Sequence, residues 1–190
     1  MRDKIVRSIK ESISVKEDVC KNQTEVIEKA ALAIIGSLRS GGKLLVCGNG
    51  GSAADSQHIA AELVGRFKKE RKPIAAVALT TNASVITAIG NDYGYEATFE
   101  RQVAAIGRKN DVLLGISTSG NSKNVNRAVS AARSIGMKTI GLTGGTGGEL
   151  AKSVDIAIVV GSKDTPRMQE SHLMIGHILC ELVEDEACKG

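Results

Sequence analysis

The chain has 190 residues, of which 42% are hydrophobic, 24% are charged and only 2% are aromatic, and its formal net charge is +4. This length predicts one domain with a substantial core, and the composition is typical of a globular protein. The scarcity of aromatic rings argues against stacking platforms for single-stranded nucleic acid, so we expect no nucleic-acid partner.

The N-terminus and the cysteines indicate a cytoplasmic protein without a membrane partner. The first residues, MRDKIVRSIKESI, are charged and amphipathic rather than a secretory signal, and no apolar run reaches transmembrane length. The four cysteines show no CxxC spacing. Cys47 and Cys180 fall in apolar stretches, where we expect core thiols.

Two helices are predicted before the first strand. Residues 3–18 form an imperfect amphipathic pattern, and Asn22 with Glu25 resembles a capping box that starts a strongly apolar helix over Val26–Leu38. A minimal α/β unit does not need two such helices. Their apolar faces therefore cover the domain or pack on another subunit.

An apolar strand, a glycine turn and a helix start come next. Leu44–Cys47 has the pattern of a buried parallel strand, and the glycine-rich turn GNGG follows it. We expect Ser52 to cap the following helix, whose apolar side carries Ile59, Leu63 and Phe67. Free backbone N–H groups and the helix dipole make such a junction an anion site.

The same residues match the spacing G-x-G-x-x-A of a dinucleotide site. That site requires an acidic residue near the end of the second strand, where it binds the ribose. The second strand ends with Ala78, Leu79, Thr80 and Thr81, none of which is acidic. Dinucleotide binding is therefore disfavoured.

The rest of the chain alternates strands and helices. Strands are predicted at 74–79, 111–116, 138–142 and 156–160, and helices at 83–90, 96–107, 123–135, 149–153 and 165–186, with a turn-rich loop over Gly90–Glu96. This alternation predicts an α/β fold in three αβα layers, with a doubly wound five-stranded parallel sheet and extra N-terminal helices.

Ligands of such sheets bind at the carboxyl ends of the strands, where GNGGS and STSGNS both fall. The second loop offers four hydroxyls, although a turn with a helix cap needs only one or two. Hydroxyls and backbone N–H groups can surround a phosphate without a lysine or arginine. We therefore expect a small phosphorylated ligand between the two loops.

His58 and Glu62 are four residues apart and share one helix face. They lie about 9 and 15 Å along the helix axis from Ser52, which is about the length of an extended sugar phosphate. Taken alone, such a pair is often only a surface hydrogen bond. Its position beyond the anion site favours a proton-handling role.

The last helix carries the other two histidines, His172 and His177, in the segment RMQESHLMIGHILCELVED. Either one can be an ordinary helix histidine with a satisfied hydrogen bond. Gln169 and His177 lie about 12 Å apart along the helix. One metal ion binds both only if a side chain reaches far, the helix start is irregular, or a ligand comes from another subunit.

A basic segment follows the first glycine-turn helix. The general behaviour of charge runs favours a solvated loop, and a phosphate or acidic partner is the alternative. The segment consists of Arg66, Lys68, Lys69, Arg71 and Lys72.

Five motifs in order resemble those of the sugar isomerase (SIS) domain family and, within it, the phosphoheptose isomerases. The resemblance covers nearly the whole chain and implies a single SIS domain over 1–190, with N-terminal helices in 1–40, an α/β core in 43–186 and a flavodoxin-like strand order. It also implies a homotetramer with active sites at subunit interfaces. The motifs are GNGGSAADSQHIAAELVGRF, AIGNDYGYE, LLGISTSGNSKNV, GLTGG and RMQESHLMIGHILCELVE.

The resemblance also implies the residues of the site. The acid/base pair falls on Glu62 and His177, and the metal positions, which bind zinc in several members, fall on His58, Glu62, Gln169 and His177. One zinc ion per subunit is implied. The substrate-binding positions fall on Asn49, Gly50, Gly51, Ser52, Glu62, Asn91, Asp92, Ser117, Thr118, Ser119, Ser122 and Gln169.

The implied activity is aldose-ketose isomerisation. The substrate is sedoheptulose 7-phosphate, and the product, formed through an enediol, supplies heptose for lipopolysaccharide core or other surface glycans. The alternative is a non-catalytic SIS protein that binds the bacterial replication initiator. Such relatives are expected to lack a full acid/base set, whereas His58, Glu62, Gln169 and His177 are all present.

Overall fold

The computed structural model describes residues 1–189, and within them all eight predicted helices and all five predicted strands are present. One turn of 3₁₀ helix, Tyr95–Ala97, is added to them. In chain order the elements are α1 (Arg2–Asn22), α2 (Thr24–Arg39), β1 (Leu44–Gly48), α3 (Gly51–Val64), β2 (Ala76–Ala78), α4 (Ala83–Tyr93), α5 (Thr98–Ile106), β3 (Val112–Ser117), α6 (Lys123–Ile135), β4 (Lys138–Gly144), α7 (Gly148–Ser153), β5 (Ile156–Val160) and α8 (Thr165–Ala187).

The sheet confirms the predicted α/β fold class. Its strand order is β2-β1-β3-β4-β5, and every pair is parallel. This is the flavodoxin-like order, in which the direction of winding reverses between β1 and β3 and opens a crevice at the carboxyl ends of these strands. Gly48 pairs with Ile116 at that end, so the loops GNGGS and STSGNS begin side by side.

Two separate hydrophobic cores lie on the two faces of the sheet. Successive strand residues point to opposite faces, so Leu44 and Val46 face one core while Leu45 and Cys47 face the other. The first core includes α1, α2, α3 and α8, and the second includes α5, α6 and α7. Both α3 and α8, which carry the predicted acid/base residues, therefore lie in the same layer.

The predicted capping box at Asn22 and Glu25 is wrong. Helix α1 continues through Asn22, whose side-chain amide donates to Asp18 Oδ1 at 2.7 Å. Only Gln23 separates α1 from α2, and no side chain caps the start of α2. Helix α1 thus extends beyond residue 18, where the sequence predicted its end.

The predicted loop over Gly90–Glu96 is also partly wrong, because α4 continues to Tyr93. Asn82 starts this helix by accepting the N–H of Val85 through its side chain at 3.1 Å. The helix ends at Gly94, which adopts φ +85° and allows the chain to turn. Asn91 and Asp92 therefore lie in the last turn of a helix.

Two helices are poorly covered by the rest of the chain. Helix α1 exposes Ile5, Val6, Ile9 and Ile13, and no residue of α4 is buried. Among residues 1–189 no helix combines the length and apolar character needed to cross a membrane.

Candidate active site

The crevice between β1 and β3 is held by a pair of asparagines. Asn49, in the first loop, and Asn124, in the first turn of α6, exchange two side-chain hydrogen bonds of 2.8 and 2.9 Å. Tyr95 also donates its hydroxyl to Asn49 Oδ1 at 2.8 Å. These contacts fix the first loop relative to the second. Asn124 and Tyr95 were not predicted as site residues, because hydrogen bonds between distant segments leave no periodic pattern in the sequence.

The helix after the turn GNGG starts two residues earlier than predicted, so Ser52 is not the N-cap. Gly50 caps α3 with φ +56°, an angle that favours glycine, and Ser52 is buried within the first turn. The N–H groups of Ser52 and Ala53 already donate to Asn49 and Gly50 carbonyls at 3.0 Å. This helix start therefore offers fewer free donors to an anion than expected.

The second loop, STSGNS, gathers its hydroxyls at the start of α6. Ser117 Oγ lies 2.9 Å from Ser122 Oγ and 3.5 Å from Ser119 Oγ. Ser122 is the N-cap residue of α6, yet its side chain caps no backbone N–H group there. The hydroxyls and the positive end of a 13-residue helix thus meet at one point, which is suited to a phosphate. Thr118 is half-buried in the same loop.

Beyond the loops, α3 and α8 bring three predicted residues together. His58 Nε2 lies 2.8 Å from His177 Nε2 and 3.2 Å from Glu62 Oε1. The ligand atoms of all three residues lie within 4.8 Å of one another. His58 and Glu62 come from α3, and His177 comes from α8. The side chains of His58 and Glu62 are 45% and 23% exposed, so a ligand can reach them.

This triad fits a divalent metal ion of the zinc type. Two imidazole nitrogens and a carboxylate oxygen are common zinc ligands, and three protein ligands with one open position are typical of catalytic zinc sites. A tetrahedral zinc site with bonds of about 2.1 Å holds its ligands about 3.4 Å apart. The observed spacings of 2.8 and 3.2 Å require only small adjustments.

Gln169 lies at the other end of the α3–α8 contact. A Cβ atom built on Gly51 would fall 2.4 Å from Gln169 Nε2, so the amide covers the start of α3. Along α8, Gln169 is about 12 Å from His177. Within one chain this placement supports a substrate role for Gln169 and gives no support to its metal role.

Asn91 and Asp92 are exposed at the end of α4. Within the described chain their side chains hydrogen-bond to each other, at 2.8 Å, and contact neither strand-end loop by a hydrogen bond. The structure therefore does not bring these two residues to the triad of their own chain.

Asp55 is a further acidic residue that the sequence analysis missed. It lies three residues before His58 and seven before Glu62, hence on the same face of α3. Its Oδ2 atom is buried and has no hydrogen-bond partner in residues 1–189. Burial raises the pKa of the Asp55 carboxyl to about 6, and the charge of His58 acts in the opposite direction. Its spacing to His58 and Glu62 was the available signal.

His172 lies outside the site. It is fully buried, and its Nε2–H donates to the Thr143 carbonyl at 3.1 Å, as expected for an ordinary helix histidine. Burial lowers the pKa of His172 to about 4, against which its backbone hydrogen bond acts in the opposite direction. Its neutral ring fastens α8 to β4.

Comparison with protein families matches residues 9–144 to the SIS domain. A phosphoheptose isomerase from Clostridium acetobutylicum is 52% identical over 188 residues, which cover 98% of this chain and 96% of that protein. The phosphoheptose isomerase of Aquifex aeolicus is 50% identical over 189 residues, covering 100% and 99% of the two chains.

Solved structures give the same result. The structure of a phosphoheptose isomerase from Neisseria gonorrhoeae superposes with a TM-score of 0.92 at 44% identity. The match covers 97% of this chain and 98% of that chain. The whole fold, including α1 and α2, is thus shared with these proteins.

Proposed function

The chain belongs to the SIS domain family, and from this premise we propose that it is a phosphoheptose isomerase. It interconverts sedoheptulose 7-phosphate, a ketose, and D-glycero-D-manno-heptose 7-phosphate, an aldose, for heptose biosynthesis. The observation that carries the proposal is the pairing of a hydroxyl loop with an acid/base triad along one crevice. The choice of substrate is supported by phosphoheptose isomerases that are about 50% identical to this chain over nearly its whole length.

The two ends of the crevice have different tasks. The phosphate binds the hydroxyls of Ser117, Thr118, Ser119 and Ser122 and the helix start behind them. The sugar runs along the wall formed by Asn49, Gly50, Gly51, Ser52 and Gln169 toward the triad. This arrangement holds the carbonyl end beside α3 and α8, since the reacting carbons must lie within contact distance of the base.

Glu62 is the base and His177 moves the second proton in this mechanism. The Glu62 carboxylate removes the proton from the hydroxymethyl carbon next to the carbonyl, which gives an enediol, and returns that proton to the former carbonyl carbon. His177 transfers a proton between the two oxygens, so that one becomes the new carbonyl and the other a hydroxyl. Both groups lie within the same triad, as a proton shuttle between adjacent atoms requires.

We also propose one zinc ion per subunit, held by His58, Glu62 and His177. When bound, zinc supplies a Lewis acid that polarises an oxygen of the substrate. The donor types and spacing of the triad support this assignment. Elemental analysis of protein never exposed to chelators or metal-affinity tags tests it, and an absence of stoichiometric metal would contradict it.

The proposed assembly is a cytoplasmic homotetramer with its sites at subunit interfaces. The apolar face of α1 and the uncovered α4 support association, and α4 carries Asn91 and Asp92 outward. We propose that these two residues complete the site of a neighbouring subunit. Each subunit is one SIS domain over 1–190, with N-terminal helices in 1–40 and the core in 43–186.

The non-catalytic alternative, a partner of the replication initiator, is not favoured. The triad is complete, and the similar proteins reported above are phosphoheptose isomerases.

The direct test incubates the purified protein with sedoheptulose 7-phosphate and follows the appearance of the aldoheptose by NMR. We expect turnover that depends on Glu62 and His177. An absence of turnover both with and without added zinc would overturn the assignment.

A further inference from the structure

The triad depends on how α3 and α8 are aligned along their length. The two helices run parallel, because Gln169 covers Gly51 near their beginnings and Gly176 packs on Ile59 two turns further on. His58 meets His177 at this second level. A slide of one helix along the other by a fraction of a turn would separate the histidine from Glu62.

Two turns beyond His177 along α8, a buried carboxylate joins this helix to the segment that follows α3. Glu184 of α8 is 1% exposed and accepts the backbone N–H groups of Phe67, Lys68 and Lys69 at 2.7–2.9 Å. It also accepts Arg71 Nε at 3.1 Å. Burial acts to raise the pKa of Glu184, but the hydrogen bonds and the arginine outweigh it and hold that pKa below its usual value.

The arginine of this pair closes the end of α3. The Arg71 side chain is 3% exposed and donates to the carbonyls of Glu62 at 2.9 Å and Leu63 at 2.8 Å. These carbonyls lie in the last turn of α3, where no further helix residue can satisfy them. Arg71 thus holds the backbone of the proposed catalytic base directly.

Phe67 connects the carboxylate to the other catalytic residue. Its N–H is held by Glu184, and its ring contacts the ring of His177 with centroids 5.4 Å apart. The His177 ring in turn lies 5.0 Å from that of His58. Contacts therefore run from the buried pair to both sides of the triad.

We propose that Arg71 and Glu184 are positioning residues, which set the register of α3 and α8 so that Glu62 and His177 meet the same substrate atoms. The role rests on the proposed isomerase function. A buried pair with most of its hydrogen-bonding capacity used has one strongly preferred geometry. The nearby pairs Lys68–Glu181 and Lys69–Asp185 are about half exposed and define no such geometry.

The basic segment after α3 is a solvated loop, as its charge predicted, at the exposed residues Arg66, Lys68, Lys69 and Lys72, but not at Arg71. Lys68, Lys69 and Arg71 pair with acidic residues of α8 in the same chain, and Arg71 is buried rather than solvated. Arg71 is consequently not available to an external phosphate.

The three histidines of the chain provide a direct measurement. In ¹⁵N-histidine-labelled protein, the ring signals of His58 and His177 report the triad, and buried His172 reports the remaining fold. We expect Glu184→Gln to move the His58 and His177 signals and leave that of His172 in place. We expect kcat to fall about tenfold to a hundredfold, as for small misplacements of catalytic groups, with KM within about threefold.

Asp185→Asn is the matched control, since it removes an exposed acidic partner one residue away. It should leave all three signals and kcat unchanged. Unchanged His58 and His177 signals and near-normal kcat in folded Glu184→Gln protein would overturn the proposal. So would displacement of all three signals together, because that reports general loosening.

If Glu184→Gln does not fold, Arg71→Lys decides by the same criteria, because it keeps a cation beside Glu184 and removes the guanidinium hydrogen bonds to the Glu62 and Leu63 carbonyls. The NMR measurement needs no turnover. A wild-type protein without isomerase activity would thus refute the proposed function. The signals of His58 and His177 would still test whether Arg71 and Glu184 set the register of α3 and α8.

Discussion

Glu62 and His177 lie in one triad although 115 residues of sequence separate them, and each is predicted to be indispensable. Glu62→Gln and His177→Gln should each lower turnover by at least about a hundredfold, since a positioned acid or base contributes about 10²–10⁴-fold. The amide of glutamine cannot take up the proton. Turnover of sedoheptulose 7-phosphate by NMR and far-UV circular dichroism measure activity and fold.

Glu181→Gln serves as the control, because it neutralises a half-exposed carboxylate on α8 whose ion-pair partner within residues 1–189 is Lys68. It should retain full activity. A folded Glu62→Gln enzyme with a near-normal rate would show that another group is the base, and Asp55 would be the first candidate to examine.

His172 makes stability depend on pH in a defined direction. Its folded pKa of about 4 lies below the ordinary value of 6.5, so between these values the unfolded chain binds a proton that the folded chain excludes. The contribution of His172 to the free energy of unfolding is therefore fully present above pH 6.5, and it is lost as the pH falls toward 4. The loss attributable to His172 between pH 7.5 and pH 5 is about 2 kcal/mol.

Urea unfolding at fixed protein concentration measures this loss. His172→Gln keeps a donor for the Thr143 carbonyl but cannot titrate, so its stability should fall less between the two pH values than that of the wild type. Equal losses in both proteins would show that the buried imidazole is not the responsible group.

At the scale of elements, periodicity predicted what depends on local sequence. The bounds of α6 are those expected, because its polar and apolar residues alternate clearly and Gly136 ends it in a left-handed conformation. The start of α3 lies two residues before the predicted one, because a serine favoured as a cap competes with a glycine that can adopt positive φ. The spacing of residues in the sequence does not decide whether Ser52 or Gly50 is the N-cap.

The two glycines that flank the first loop should respond differently to alanine. A Cβ at Gly48 would lie 2.7 Å from the Ser52 carbonyl oxygen, so backbone must move, and we expect a loss of about 1–3 kcal/mol. The three atoms nearest to a Cβ at Gly51 all belong to the flexible end of the Gln169 side chain. Gly51→Ala should therefore keep its stability.

Gly51→Ala should instead lower kcat/KM about threefold to tenfold, because displacing the Gln169 amide removes about one hydrogen bond to substrate. Gln169→Ala is the comparison and should show a similar loss. Urea unfolding and steady-state kinetics on the three variants test the pair. A stability loss in Gly51→Ala as large as in Gly48→Ala would contradict the stated contacts.

At the scale of the whole molecule, the sequence predicted which loops form the crevice, but it did not predict what holds α3 and α8 in register. Strand order and loop motifs indicate which loops meet, since parallel strands end at one edge. The buried partnership of Arg71 and Glu184 could not be found this way, because 113 residues separate the two and a charged run usually indicates solvent. Burial of charge is decided by tertiary contacts alone.

The exposed position of Asn91 and Asp92 leads to a prediction about the assembly. If they act on a neighbouring subunit, Asp92→Asn and Glu62→Gln damage the same site from different chains. Each variant alone should have little activity. In oligomers assembled from an equal mixture of the two, about a quarter of the sites combine an intact Glu62 with an intact Asp92 of the neighbour.

Mixing the two inactive variants under conditions that exchange subunits should therefore restore activity to about a quarter of the wild-type level. Native mass spectrometry of subunits with different isotope labels confirms that exchange has occurred. A mixture of two Glu62→Gln preparations is the control and should stay inactive. Complete exchange without recovered turnover would mean that Asp92 serves the site of its own chain, and α4 would then have to move toward the triad when substrate binds.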